Sequence, residues 1–333
     1  MSEEIARYVV AEAIWAPSVH NTQPWRFVDD GQQISLYADV DRGLPVADPD
    51  GREMMISCGA ALFNARLALR RLGYVPETRV LPDPGHPALV ARVSWRQRAP
   101  VCEFERRLSG QVHLRRTHRG AFDPEPVPRD LLAALCGSAA RDGTALRIVA
   151  DDGQRAALAA TVQAAEHHLR LDAERIRELA RWSPAPGSAR RDGVPVTSYP
   201  RRAERTDPYF PGRDFACGHG WGMPPLSTAR LPRAAGAVGL LTTVADRREN
   251  WVNAGQALQR MLLTASTCGA AVALHSQPIE LPWLREFIRT QLSGGAYPHV
   301  VLRIGMAVQA ADSVRRGVDD VLFPSDAAAP SSN

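Results

Sequence analysis

Two short stretches of this chain concentrate side chains able to make charged or two-way hydrogen bonds. The first is Arg115-Arg116-Thr117-His118-Arg119. Arg115 and Arg119 stand four apart around the Thr117 hydroxyl, and guanidinium groups give bidentate, charge-assisted hydrogen bonds to phosphate oxygens. All 40 basic residues are arginine, so a phosphate site here must use arginine, backbone amides or hydroxyls, and a lysine Schiff base is excluded. The second is Pro17-Ser18-Val19-His20-Asn21-Thr22-Gln23-Pro24-Trp25, bounded by prolines, in which the Asn21 and Gln23 carboxamides can each donate and accept. Two later segments complete the set of interest: Ser276-Gln277-Pro278-Ile279-Glu280 and Arg315-Arg316-Gly317.

Other chemistry is poorly supported. Glu166-His167-His168 falls on a helical stretch, where adjacent side chains point about 100° apart and do not converge on one metal. Five dispersed cysteines without a C-x-x-C spacing argue for free thiols rather than a disulfide framework or a zinc site. No metal is expected. No Gly-x-Gly-x-x-Gly follows a strand, and neither a Walker motif nor a Gly-x-Ser-x-Gly elbow occurs. Gly218-His219-Gly220-Trp221-Gly222 lies in a proline-rich loop rather than at a strand–helix turn. A net charge of +4 is spread among interleaved acids with no aromatic–basic module, so no nucleic-acid partner is expected. No apolar run reaches the roughly 18 to 20 residues of a membrane span. The acidic start, Met1-Ser2-Glu3-Glu4, is unlike a secretory signal, which makes the cytoplasm the expected location.

The elements that would position these residues fall into two sets. Periodicity predicts a helix over 2–16, strands over 25–28 and 34–38, a long helix over 52–72, and strands over 80–81 and 88–95. A second set begins near 106: a helix over 128–139 with proline at its start, a strand over 146–150, a long helix over 151–182, a helix over 248–268, strands over 271–275 and 300–306, and a helix over 281–292. Arg52-Glu53-Met54-Met55-Ile56-Ser57-Cys58-Gly59-Ala60-Ala61-Leu62 aligns with Arg248-Glu249-Asn250-Trp251-Val252-Asn253-Ala254-Gly255-Gln256-Ala257-Leu258. Arg, Glu, Gly, Ala and Leu recur in step. Glycine inside a helix costs about 1 kcal/mol relative to alanine, so its recurrence suggests close helix–helix approach. The expected division is an N-terminal half over 1–105, a C-terminal half over 106–323 and a disordered tail over 324–333.

With these pieces in order, the chain resembles the nitroreductase family of FMN enzymes, and within it the fused, Acg-like subfamily of actinobacteria. The resemblance implies an α+β, nitroreductase-like fold with two tandem halves forming an intramolecular pseudo-dimer, hence a monomer. It also implies one FMN per chain. The Pro-Ser segment survives only in the first half, and the Arg-x-Thr-x-Arg segment only in the second, so one complete site remains. By this resemblance Arg115, Thr117 and Arg119 would grip the FMN phosphate, with Arg315 or Arg316 closing that side. Asn21 and Gln23 would meet the ring's O2, N3–H and O4. Pro17, Ser18, Val19 and His20 would follow the ribityl chain or the ring edge, and Gln277, Pro278 and Ile279 would present backbone near N5. Val19 replaces the second serine of the family pattern, which puts one side-chain contact there in doubt. The flavin's N5, rather than a protein acid or base, would carry the chemistry.

Residues 183–235 form a long stretch rich in Pro, Gly and Arg that holds Tyr199, Tyr209, Phe210, Phe215, Trp221 and Met223. Loops beyond about 15 residues are usually functional or disordered. Two readings stay open: a lid over the flavin, or a surface insertion with its own satellite core. An open lid implies an NAD(P)H-dependent oxidoreductase acting on nitro or quinone-type acceptors. A closed lid implies a flavin-sequestering or storage protein.

Overall fold

The computed structural model describes residues 2–141, 143–198, 205–215, 233–307 and 313–325. In chain order the first set of elements is α1 (Ser2–Ala13), β1 (Trp25–Asp29), β2 (Gln33–Ala38), α2 (Arg52–Arg71), β3 (Tyr74–Val80) and β4 (Leu89–Arg98). After α3 (Glu103–Ser109) and β5 (Thr117–His118) comes the second set: α4 (Arg129–Ala139), β6 (Thr144–Val149), α5 (Asp152–Leu169), α6 (Ala173–Arg181), β7 (Thr206–Asp207), β8 (Arg233–Ala234), β9 (Ala237–Thr243), α7 (Arg248–Thr267), β10 (Ala270–His275), α8 (Pro282–Phe287), β11 (Tyr297–Met306) and β12 (Leu322–Pro324). No described helix is long and apolar enough to cross a membrane.

The two sets have the same topology. One sheet runs β12-β1-β2-β4-β3 and the other, read from its far edge, runs β6-β9-β11-β10-β5. Thus β1, β2, β4 and β3 correspond to β6, β9, β11 and β10, with one added strand at opposite ends. A tight turn joins β1 to β2, whereas α5, α6 and a long insertion separate β6 from β9. That insertion, and α8 between β10 and β11, make the second half larger.

The repeat read from the sequence becomes a pseudo-two-fold contact between α2 and α7. A Cβ on Gly59 would stand 2.1 Å from the Val252 carbonyl oxygen, and one on Gly255 would stand 2.0 Å from that of Ile56. The two contacts are reciprocal under the sequence offset, as in an isologous dimer interface. The first residue of each helix repeats the pattern. Arg52 donates to the His299 carbonyl at 3.3 Å and Arg248 to the Pro87 carbonyl at 2.6 Å, each reaching into the opposite half. The fold is the expected α+β pair of tandem halves, closed on itself as an intramolecular pseudo-dimer.

Several elements differ from the sequence reading. The helix expected over 151–182 is two helices. Asp172 stops the first and caps the second, accepting from the Glu174 and Arg175 amides at 3.0 and 3.2 Å, a role aspartate takes up more readily than a helix-interior place. β3 is longer than the expected 80–81 because Pro76 is tolerated there: the strand lies at a sheet edge, where a missing donor costs little. β9 sits centrally in its sheet, although no strand was expected between 235 and 248. Pro324, placed in the expected disordered tail, instead pairs with Asp29 at the end of a parallel β1–β12 ladder. Of the aromatic residues noted in the insertion, Tyr199 and Trp221, like Met223, lie outside the described residues, as do 326–333.

Candidate functional site

A cavity of about 430 Å³ lies between the halves. Pro17, Ser18, Val19 and His20 line it from the first half, with Glu53, Ile56, Ser57 and Ala60 of α2. Those four recur at i, i+3, i+4 and i+7, one face of the helix. Thr117, Arg119 and Gln277 line it from the second half, and Phe210, Arg213 and Phe215 reach it from the insertion.

The Pro-Ser segment is a compact, strained turn. His20, Asn21 and Gln23 hold φ of 48°, 54° and 50°, in the left-handed region that costs a side-chain-bearing residue about 1–2 kcal/mol. Such strain persists only where surrounding contacts over-determine it, and here they do. Ser18 Oγ accepts from the Gln23 amide at 2.9 Å, and the Val19 amide donates to Ser57 Oγ at 3.3 Å.

The Asn21 and Gln23 side chains do not line the cavity. Asn21 Nδ2 donates to the carbonyls of Gly193 (2.8 Å) and Val314 (3.1 Å), and its Oδ1 accepts from Arg315 (3.1 Å). Gln23 Nε2 donates to the Arg191 carbonyl at 2.8 Å and its Oε1 accepts from the Arg316 amide at 2.9 Å. Both carboxamides, expected to face a ring, staple the turn to the insertion and to the C-terminal segment. Sequence could not reveal this, because both partners lie about 170 to 290 residues away.

The arginines form the most unusual feature. Arg115 is 4% exposed; its Nη2 donates to the Trp15 carbonyl at 3.5 Å, and its Nε and Nη1 have no partner among the described residues. Arg315, also buried, donates to the Trp15 and Ala16 carbonyls and to Asn21, while its Nε is unpartnered among those residues. Burial depresses the Arg115 pKa to about 9, helped by Arg116 and Arg119. Burial likewise pulls Arg315 well below its ordinary value, followed by Arg115, Arg116 and Arg119. Among the described residues, every charge acting on these two groups is another arginine. Arg316 points elsewhere, donating to the Asp320 carbonyl at 2.6 Å and lying 3.9 Å from Asp39.

Around Gln277 the chain turns tightly: the Ile279 and Glu280 amides both donate to the Ser276 carbonyl, at 2.8 and 3.1 Å. Pro278 and Ile279 are buried in the turn, and Ile279 packs into the core beside α5. Glu280 pairs with Arg213 of the insertion and accepts from Ser276 Oγ at 2.8 Å. Phe215 sits edge-on to His20, ring centres 5.5 Å apart, with the Arg119 guanidinium 5.9 Å from its centre.

Sequence reasoning named His20 but missed Glu53 on the cavity wall and Asp48 next to it. Burial drives Glu53 up to about 8, with Glu280 adding and Arg52 opposing. Burial drives Asp48 up to about 6 and His20 down to about 3, the latter helped by Arg213. Glu53 and Glu249 are twins in the repeat, yet the second is exposed; a single sequence gives no sign of which one faces a cavity. Among the described residues no three His, Cys, Asp or Glu side chains gather as a metal site.

No family model matches the chain. It is 36% identical over 313 residues, covering 93% of its own length and 87% of the other, to the Mycobacterium tuberculosis protein named "Putative NAD(P)H nitroreductase Rv3131". It is 29% identical over 329 residues, 96% of each, to "Putative NAD(P)H nitroreductase acg" of the same organism. A crystal structure of a nitroreductase with bound FMN from Bacteroides fragilis matches at 13% identity and a TM-score of 0.37, over 63% of this chain and 95% of that one. Two tandem halves of one topology, closed by reciprocal glycines over a shared cavity, agree with the near full-length similarity: the chain belongs to the nitroreductase family, among its Acg-like members.

Proposed function

We propose that the chain binds one FMN between its halves and works as a flavin oxidoreductase, taking electrons from NAD(P)H and passing them to nitro or quinone-type acceptors. The observation that carries this reading is the buried arginine group beside the cavity. Among the described residues, Arg115 and Arg315 hold N–H donors without partners and feel only other arginines. Such a cluster is unfavourable empty and suits a ligand bearing close to two negative charges, as a phosphate monoester does. Arg115, Arg119, Arg315 and the Thr117 hydroxyl would hold the phosphate. The cavity's size falls in the range of small-molecule sites, and His20, Phe215 and Gln277 would pack around the ring. Bound there, FMN would supply a two-electron hydride acceptor for a nicotinamide donor. The protein's part is to orient that ring, place positive charge near it and exclude water.

A second reading, a flavin-sequestering protein with little turnover, draws on one observation. The described part of the insertion already reaches the cavity through Phe210, Arg213 and Phe215, with Arg213 latched to Glu280. Stopped-flow mixing of the yellow protein with NADPH or NADH separates the two. Rapid loss of the visible flavin band supports the oxidoreductase. A band unchanged at millimolar nicotinamide would leave only the store. Purified protein that is colourless and shows no thermal shift with FMN would defeat both.

A further inference from the structure

Two histidines of the cavity wall have hydrogen-bonding roles set by their neighbours. Arg303 donates from Nε to His275 Nε2 at 3.0 Å. Arginine can only donate, so Nε2 carries the lone pair and the neutral ring bears its proton on Nδ1. The ring is held neutral, its pKa well below the ordinary value, first by burial and then by Arg303 and Arg213. Arg303 has little freedom to change this. It also donates to the carbonyls of Ala235 (3.3 Å) and Gly120 (3.2 Å), and lies 5.2 and 5.7 Å from the ring centres of Phe122 and Phe210. His275 Nδ1–H then has no acceptor among the described residues, although the side chain lines the cavity.

His299 is the complement. The Thr243 hydroxyl donates to the Ala245 carbonyl at 2.7 Å, so its oxygen accepts from His299 Nε2–H, also at 2.7 Å. That leaves His299 Nδ1 as a lone pair without a donor among the described residues. His275 opposes Val301 at the end of the β10–β11 ladder, and His299 follows on β11 where the register slips between Pro298 and Val300. Both histidines line the cavity, and each keeps one buried ring nitrogen without a partner among the described residues. Unpaired polar groups in a protein interior are costly and call for a reason.

We propose that His275, oriented by Arg303, recognises an amide group of the cavity ligand: its Nδ1–H donates to the amide carbonyl while His299 Nδ1 accepts from the adjacent N–H. This rests on the FMN reading above. That chemistry has two sources, the lactam edge of the flavin ring and the carboxamide of a nicotinamide. Arg303 is a positioning residue, acting only by fixing the tautomer.

Nitrogen-15 NMR of histidine-labelled full-length protein tests the tautomer before any ligand is added. The expected signal is Nδ1–H at His275, giving way to a mixed or Nε2–H form in Arg303→Met. Binding then identifies the source. His275→Phe should weaken either FMN binding to the apoprotein or oxidised NADP binding to the FMN-loaded protein by about tenfold, the loss of one good hydrogen bond. His275→Gln, which restores an N–H donor, should recover most of it. A change in FMN affinity assigns the flavin ring; a change confined to NADP assigns the nicotinamide. An Nε2–H tautomer in the wild type, or both affinities unchanged in folded His275→Phe, overturns the proposal. Wild-type protein that binds no FMN refutes the FMN reading and the proposal with it, whereas unchanged affinities in folded His275→Phe refute the proposal alone.

Discussion

Replacing Arg115 with methionine should change two properties in opposite directions. The side chain is buried, keeps its charge at neutral pH, and has its pKa pulled from the ordinary arginine range down to about 9 by burial and by Arg116 and Arg119. At about 1.4 kcal/mol per pH unit, that fall corresponds to roughly 5 kcal/mol of unfavourable charge burial in the ligand-free fold. Rearrangement and water entry around the guanidinium would relieve part of it, and the lost bond to the Trp15 carbonyl subtracts about 1 kcal/mol. Methionine keeps the volume without the charge, so Arg115→Met should stabilise the apoprotein by about 1–3 kcal/mol in urea unfolding. The same change removes charged hydrogen bonds to the phosphate and should weaken FMN by about 1.5–3 kcal/mol, roughly 10- to 150-fold, in a fluorescence-quenching titration. A structural arginine gives the reverse: lower apoprotein stability with FMN affinity untouched. That outcome would refute the assignment of this cluster to an anion.

Glu53→Gln should alter the pH dependence of stability. The folded-state pKa of Glu53 is raised from 4.5 to about 8, so its contribution is full below about pH 4.5 and is lost as pH rises toward 8. The glutamine variant should lack this fall and unfold at higher urea than wild type at pH 8; matching profiles would show that Glu53 ionises normally. Gly59→Ala and Gly255→Ala each place a Cβ about 2 Å from a carbonyl oxygen. Each should destabilise the protein by about 3 kcal/mol, and similar losses at the two positions are the mark of the pseudo-two-fold contact. Arg213→Ala removes the pair between the insertion and Glu280. It should speed FMN release at least several-fold in a competition assay, and an unchanged off-rate would mean that this segment does not gate the cavity.

The fold was legible wherever a local rule coincided with the global one. Gly59 and Gly255 are in register because each must let a backbone pass, and a packing requirement of that kind leaves a mark in sequence. Pro76 misled for the opposite reason: its cost depends on being at a sheet edge, which is a fact of topology. The apolar run Ala237–Thr243 follows a long insertion that obscures its relation to β2. At the site, residue types were easier to read than directions. Thr117 and Arg119 line the cavity, whereas Arg115 and Arg315 lie buried together at the Trp15 carbonyl and Arg316 points elsewhere. Asn21 and Gln23 face away from the cavity, because carboxamides suit staples as well as ligands. Glu53 and His275 carry no local signal; their properties come from burial and from partners such as Glu280 and Arg303, which are far off in the chain.

The short strand β12 has a consequence for how the molecule comes into being. Leu322–Pro324 lies beside β1, at the edge of the first half's sheet, and Arg315, just upstream, packs its guanidinium over Trp15. The first half therefore waits for residues 315–324 before that sheet and the arginine group are complete. A folding intermediate holding only the first half has neither β12 nor Arg315 nor Arg115. On the function proposed above, loading with FMN waits for these late-joining segments, and a variant truncated before residue 315 would emerge unable to hold it.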